Sequence, residues 1–242
     1  MRKDGRLANA MRNVSLKNDY IKYAEGSCLI EIGNTKVICT ASIEDGVPPF
    51  LRGRGTGWVT AEYGMLPRSC QKRVTRESSK GGKGGRTYEI QRLVGRAMRT
   101  VTTLELLGER TIWLDCDVIQ ADGGTRCASV TGSFVALCLA LEKLKKQGEF
   151  RSIPINAYVA AVSVGVVSDN TLLDLTYDED SQAEVDMNVV MTDSGKFIEV
   201  QGTAEKQPFS RTRMDDMMKF AKKGVDHLIK KQKTALKGVL DD

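Results

Sequence analysis

The sequence predicts an α+β protein made of two halves, in each of which β-rich runs come first and a helix comes last. Three observations carry this. Two β-rich runs flank Gly33-Asn34-Thr35 in "CLIEIGNTKVICTASIE", and paired runs of the same kind recur after residue 154. A helix closes each half, an apolar run ending in lysines and a glycine in the first and apolar residues at helical spacing in the second. No low-complexity linker or composition break separates the halves, so residues 1–242 read as a single domain, with a first half of about 1–150 and a second of about 151–242.

The elements follow in order. The first hairpin turns at Gly33-Asn34-Thr35, and "VPPFLRGRGTGWVTAEYGMLPR", rich in Gly and Pro, holds one more short strand. Residues 68–86, "RSCQKRVTRESSKGGKGGR", form a basic Gly- and Ser-rich loop, long for a compact domain and so expected to be functional or mobile. A helix starts near Thr87, a candidate N-cap. Ile90, Leu93, Val94, Ala97, Met98, Val101 and Leu104 line one face, with Arg92, Arg96 and Arg99 opposite. The strand "TIWLDCDVI" leads through Gly123-Gly124 into an apolar helix that ends in lysines and a glycine. In the second half, one hairpin turns at Asp169-Asn170 and another at Asp193-Ser194-Gly195. A basic helix, 212–237, closes the chain with Met214, Met217, Met218, Ala221, Val225, Leu228 and Ile229 at helical spacing.

Composition narrows the chemistry. Hydrophobic residues are 41% and charged residues 28%, as in ordinary globular domains. No apolar run approaches the ~20 residues that span a bilayer, and the basic N-terminus lacks a signal core, so a cytoplasmic protein without a membrane partner is expected. The six cysteines form no CxxC pair and read as free thiols. His227 is the sole histidine, which disfavours a histidine base or a histidine-rich metal site. Net charge is +5, but residues 51–99 hold twelve Lys or Arg against three Glu, whereas residues 168–186 hold seven Asp or Glu and no Lys or Arg. A basic segment suits a polyanion and an acidic one a divalent cation; together they suggest phosphate chemistry, with solvated surfaces as the alternative.

Three stretches bear that chemistry. In "ADGGTRCAS" the glycines let backbone approach an anion, the following helix aims its free N–H groups and positive dipole end at the same point, Thr125 adds a hydroxyl and Arg126 a two-pronged clamp. A plain strand-to-helix turn is the alternative. Arg86, in "GGKGGRTYEIQR", repeats the theme at a second helix start, without the G-x-x-x-x-G-K-[ST] pattern of a nucleotide-hydrolysing loop. In "YDEDSQAEVDMN", Asp180 and Asp186 can meet only if the chain turns at Ser181-Gln182; two hard carboxylates then suit Mg²⁺ or Mn²⁺, or remain a solvated acidic loop.

"MRKDGR", "GNTKVICTASIE", "GWVTAEYGMLPR", "GRTYEIQRLVGRAMR", "DCDVIQADGGTR", "EDSQAEVDMNVVMT" and "EVQGTAE", in order from about residue 1 to 235, together resemble the ribonuclease PH family. The resemblance implies two βαβ-like halves of the ribosomal protein S5 domain 2 type. It implies a phosphate-dependent 3′→5′ exoribonuclease that trims tRNA precursors and other RNA 3′ ends, releasing nucleoside diphosphates and adding nucleotides in reverse. Arg86, Gly124, Thr125 and Arg126 would bind inorganic phosphate as co-substrate. Asp180 and Asp186 would hold the metal and, with Arg86, carry catalysis, although Asp180 could instead be a general acid. Arg68, Arg73 and Arg76 would contact tRNA and support a homo-hexamer, a trimer of dimers. Arg92, Arg96 and Arg99 join them as candidate RNA contacts or subunit contacts. Cys70 and Cys127 stand where threonine is commoner in the family, and "RAMRTVTTL" replaces "RSLRAVVDL"; neither change touches the charged set. The alternative function is a non-catalytic RNA-binding subunit of an exosome-like ring, but silent relatives lack part of the phosphate or metal set that this chain retains.

Overall fold

The computed structural model describes residues 2–240. The first half contains β1 (Val14–Asn18), β2 (Gly26–Ile32), β3 (Thr35–Asp45), β4 (Trp58–Met65), α1 (Gly85–Thr100), β5 (Arg110–Gln120) and α2 (Thr125–Lys146). Its sheet runs β1-β2-β3-β5-β4. Only β4 and β5 are parallel, so α1 is the crossover such a pair requires. β1 was not anticipated; its five residues give too short an alternation to stand out from a polar N-terminus. The second half contains β6 (Val159–Val167), β7 (Asn170–Leu173), the single turn α3 (Tyr177–Asp180), β8 (Val185–Thr192), β9 (Phe197–Ala204) and α4 (Arg211–Ala235). This sheet is antiparallel throughout, in the order β7-β6-β8-β9.

α2 joins the halves. It packs on β2, β3 and β5 of the first sheet and on β6 of the second, and is buried nearly all round, which is why its sequence is apolar without a polar stripe. At 22 residues it does reach the length and apolarity of a bilayer span, beyond what the sequence reading allowed, but those residues form the core instead. α4 covers β6 and β7 with Met217, Ala221, Gly224, Val225, Leu228 and Ile229. Its buried Gln232 donates to the carbonyls of Thr131 on α2 (3.0 Å) and Val159 on β6 (2.8 Å), fixing three elements with one amide.

Two local expectations need correction. The β6–β7 turn is Ser168-Asp169, one residue earlier than expected. Both residues take positive φ (48° and 62°), as a two-residue turn matched to strand twist requires. Thr87 is not the N-cap of α1. That position is Gly84, and the Thr87 hydroxyl donates to Glu77 (2.6 Å), which also accepts the Gly84 N–H (3.2 Å). Glu77 thus pins the basic loop, with its 3-10 turn Glu77–Lys80, to the start of α1. All six cysteines are free.

Candidate active site at the seam of the halves

The turn between β5 and α2 has Gly123 and Gly124 at φ 74° and 68°, a left-handed conformation that glycine adopts without strain. A side chain at Gly123 would also lie 2.4 Å from the Leu175 carbonyl oxygen, so the close approach demands glycine there. No side chain caps α2, so the N–H groups of its first turn are open to an anion. The Thr125 hydroxyl lies 2.9 Å from that of Tyr63 on β4, a buried phenol the sequence reading passed over as a strand residue. Burial raises the Tyr63 pKa, and hydrogen bonds from Thr125 and from the nearby Arg86 guanidinium partly offset this.

Arg126 points across the seam. Its Nη1 donates to Glu89 on α1 (2.8 Å) and to Gln201 on β9 (2.7 Å). Neither partner was singled out from the sequence. The next residue, Cys127, donates through Sγ to Asn188 on β8 (3.2 Å).

Asp180 ends α3 and Asp186 is the second residue of β8; the chain turns between them at 181–184, as expected. α3 is held by a capping box between Thr176 and Glu179. Burial raises the Asp180 pKa, against the opposing pull of Arg86, Arg126 and a hydrogen bond shared with Asp186. Burial and then the Asp180 charge push Asp186 up to about 6, although Arg126 and Arg86 draw it down. One oxygen of Asp186, Oδ1, is buried without a hydrogen-bond partner among the described residues. Arg86, Thr125, Arg126, Asp180 and Asp186, from four elements and both halves, therefore share one electrostatic field.

The remaining candidates are six arginines. Arg68, Arg73 and Arg76 are exposed on the basic loop and Arg92 is exposed on α1. Arg96 is exposed but pairs with Glu199 on β9 (2.7 Å). Arg99 is half-buried over the Trp58 ring (4.2 Å to the centroid) and donates to the Val59 carbonyl (2.7 Å), so it serves the packing of α1 on β4.

Residues 10–141 match domain 1 of the 3′ exoribonuclease family, and residues 157–224 match its domain 2. The chain is 58% identical over 242 residues to a ribonuclease PH of Bacillus pumilus, covering 100% of both. Among solved structures it is similar to rice (Oryza sativa) Rrp46, with a TM-score of 0.79, 17% identity and coverage of 98% of this chain and 100% of that one. It is also similar to a chain of an Archaeoglobus fulgidus exosome with RNA bound to the active site, with a TM-score of 0.80, 18% identity and coverage of 95% and 92%. These distant structures share the fold. Full-length identity and two family domains in sequence order together settle the relationship: the chain belongs to the 3′ exoribonuclease family.

Proposed function

We propose that Arg86, Gly124, Thr125 and Arg126 seat the inorganic phosphate with which this phosphorolytic exoribonuclease shortens RNA from its 3′ end. An oxygen of the seated phosphate forms a bond to the phosphorus of the last phosphodiester. The bond from that phosphorus to O3′ breaks, O3′ is protonated, and a nucleoside diphosphate departs. No side-chain nucleophile is required. The protein must hold two mutually repelling phosphates in line, and positioning with electrostatic stabilisation is the main catalytic contribution in phosphoryl transfer. The observation that supports this reading is that Arg86 and Arg126 both act on the carboxylate pair Asp180–Asp186, Arg126 lying in the first turn of α2, whose start no side chain among the described residues caps.

That pair fits a divalent cation. Its donors are all oxygen, Asp186 Oδ1 is buried without a hydrogen-bond partner among the described residues, and burial makes both charges costly, with the Asp180 charge adding to the cost at Asp186. Asp180 and Asp186 would hold Mg²⁺ or Mn²⁺, which when bound neutralises charge developing on the phosphate oxygens. Arg68, Arg73, Arg76 and Arg92 offer the RNA backbone a sequence-tolerant grip.

The RNA we propose is a tRNA precursor with extra 3′ nucleotides. Incubation with and without phosphate should yield nucleoside diphosphates only in its presence; nucleoside monophosphates formed without phosphate would overturn the reading. We further propose a homo-hexamer, which would cover exposed apolar residues such as Leu7, Tyr23, Phe50 and Leu106, and a reducing, cytoplasmic setting, which suits six free thiols. Light scattering tests the assembly.

A further inference from the structure

Arg12, in the N-terminal segment, is 7% exposed and serves three parts of the chain at once. Its Nε and Nη2 fork onto the Asp174 carboxylate (2.9 and 2.7 Å), which also accepts the Arg12 N–H (2.8 Å). From its other side Nη1 donates to the Asp122 carbonyl, and Nη2 reaches the carbonyls of Gly123 and Leu175 (both 3.4 Å). Thr35, at the start of β3 and fully buried, supplies a second tie: its hydroxyl donates to the Gly123 carbonyl (2.7 Å) and accepts the Asp122 N–H (3.0 Å). The anchor is itself held firmly. Asp174 takes φ 55°, unusual for a non-glycine residue, and its carboxylate is bonded by Arg6 as well as Arg12. Arg2 donates to the carbonyls of Leu173 and Asp174 (both 2.8 Å).

The consequence follows from the planar trans peptide, in which C=O and N–H point in opposite directions. The Asp122 carbonyl shares its peptide with the Gly123 N–H, and the Gly123 carbonyl shares its peptide with the Gly124 N–H. Glycines at positive φ have no side chain to hold these peptides in one orientation. Arg12 and Thr35 grip both carbonyls from the interior, which turns both N–H groups outward. We propose that Arg12 and Thr35 are positioning residues that aim the backbone N–H groups of Gly123 and Gly124 at the phosphate co-substrate. This inference rests on the assignment of Gly124–Arg126 to the phosphate seat.

The test compares Thr35→Val, Thr35→Ser and Arg12→Lys with the parent enzyme, using a 3′-extended tRNA at varied phosphate. Val preserves the volume of Thr35 but loses the hydroxyl; Ser keeps the hydroxyl; Lys keeps the charge but not the fork. Thr35→Val and Arg12→Lys should raise the KM for phosphate about five- to tenfold, the equivalent of one or two hydrogen bonds, with kcat at saturating phosphate and the KM for RNA near parent values. Thr35→Ser should retain the parent KM for phosphate. Unchanged KM for phosphate in both Thr35→Val and Arg12→Lys would overturn the proposal, as would equal losses in Thr35→Val and Thr35→Ser, which mark a packing effect. Arg86→Ala separates the two readings. If it raises the KM for phosphate while Thr35→Val and Arg12→Lys do not, only the positioning role falls; if it also leaves that KM unchanged, the phosphate seat falls and the positioning role with it.

Discussion

The hydroxyls of Tyr63 and Thr125 stand 2.9 Å apart, and Arg86 interacts with the same phenol. Tyr63 thus links the start of α2 to the start of α1, the two places from which the proposed phosphate contacts arise. Tyr63→Phe removes that link and leaves the ring packing intact. Breaking one buried hydrogen bond costs about 1 kcal/mol, so the KM for phosphate should rise roughly fivefold in steady-state phosphorolysis. The melting temperature should fall by only a few degrees.

Arg86→Ala should reduce kcat/KM for phosphorolysis about 100- to 1000-fold, the usual cost of removing one charge-stabilising donor. The circular dichroism spectrum should not change, because Arg86 is exposed in the free protein. Full activity in this variant would remove Arg86 from the site.

Asp180→Asn and Asp186→Asn each halve the charge available to a divalent cation. Activity in either variant should be lost at cation concentrations that saturate the parent, while binding of the tRNA precursor, measured by fluorescence anisotropy, stays within about twofold of the parent because phosphate contacts dominate RNA affinity. Chelation of divalent cations from the parent enzyme should reproduce the same pattern.

Asp174 gives stability an acid limit. Burial alone would raise its pKa, but the Arg12 fork and Arg6 more than offset this and hold it below 3.8. A carboxyl depressed in the folded state contributes stability above its unfolded pKa and loses it as pH falls through the folded one. Asp174→Asn removes the carboxylate that Arg12 forks onto and leaves it only the weaker pairing with Asp122 at 4.0 Å, a loss of about 3–5 kcal/mol that should lower the melting temperature by roughly 10 °C at neutral pH. That gap should hold at pH 5–8 and narrow below about pH 4, as the parent protonates Asp174. A gap independent of pH down to about pH 3 would show that the carboxylate charge is not what matters.

Of the two substrates, the loop arginines should act on RNA and not on phosphate. Replacing Arg68, Arg73 or Arg76 by Ala should weaken RNA binding and lower the slope of log affinity against log salt by about 1 for each lost phosphate contact, with the KM for phosphate unchanged.

The charged members of the candidate site drew notice through their neighbours. Gly123-Gly124 before a helix suits an anion seat or a plain strand-to-helix turn, and Asp180 and Asp186 across a turn suit a carboxylate pair or a solvated loop. Both halves and their hairpins were legible from β-rich runs and turn residues, α1 and α4 from helical periodicity, and α2 from its long apolar run ending in lysines and a glycine. Tyr63, Arg12, Thr35 and Asp174 were not. Their roles depend on partners far along the chain, 162 positions between Arg12 and Asp174, and no local pattern encodes such a distance. Arg99 shows the same limit: helical spacing places it on a polar face, but Trp58, on a strand far earlier in the chain, lies beneath it.

α2 is in contact with both sheets and open to water on almost no side. A fragment ending at residue 150 would leave the flank that meets β6 bare, and a fragment beginning there would lack the floor on which β6 rests. The two parts should therefore melt together, and a split pair should regain catalysis only when co-expressed.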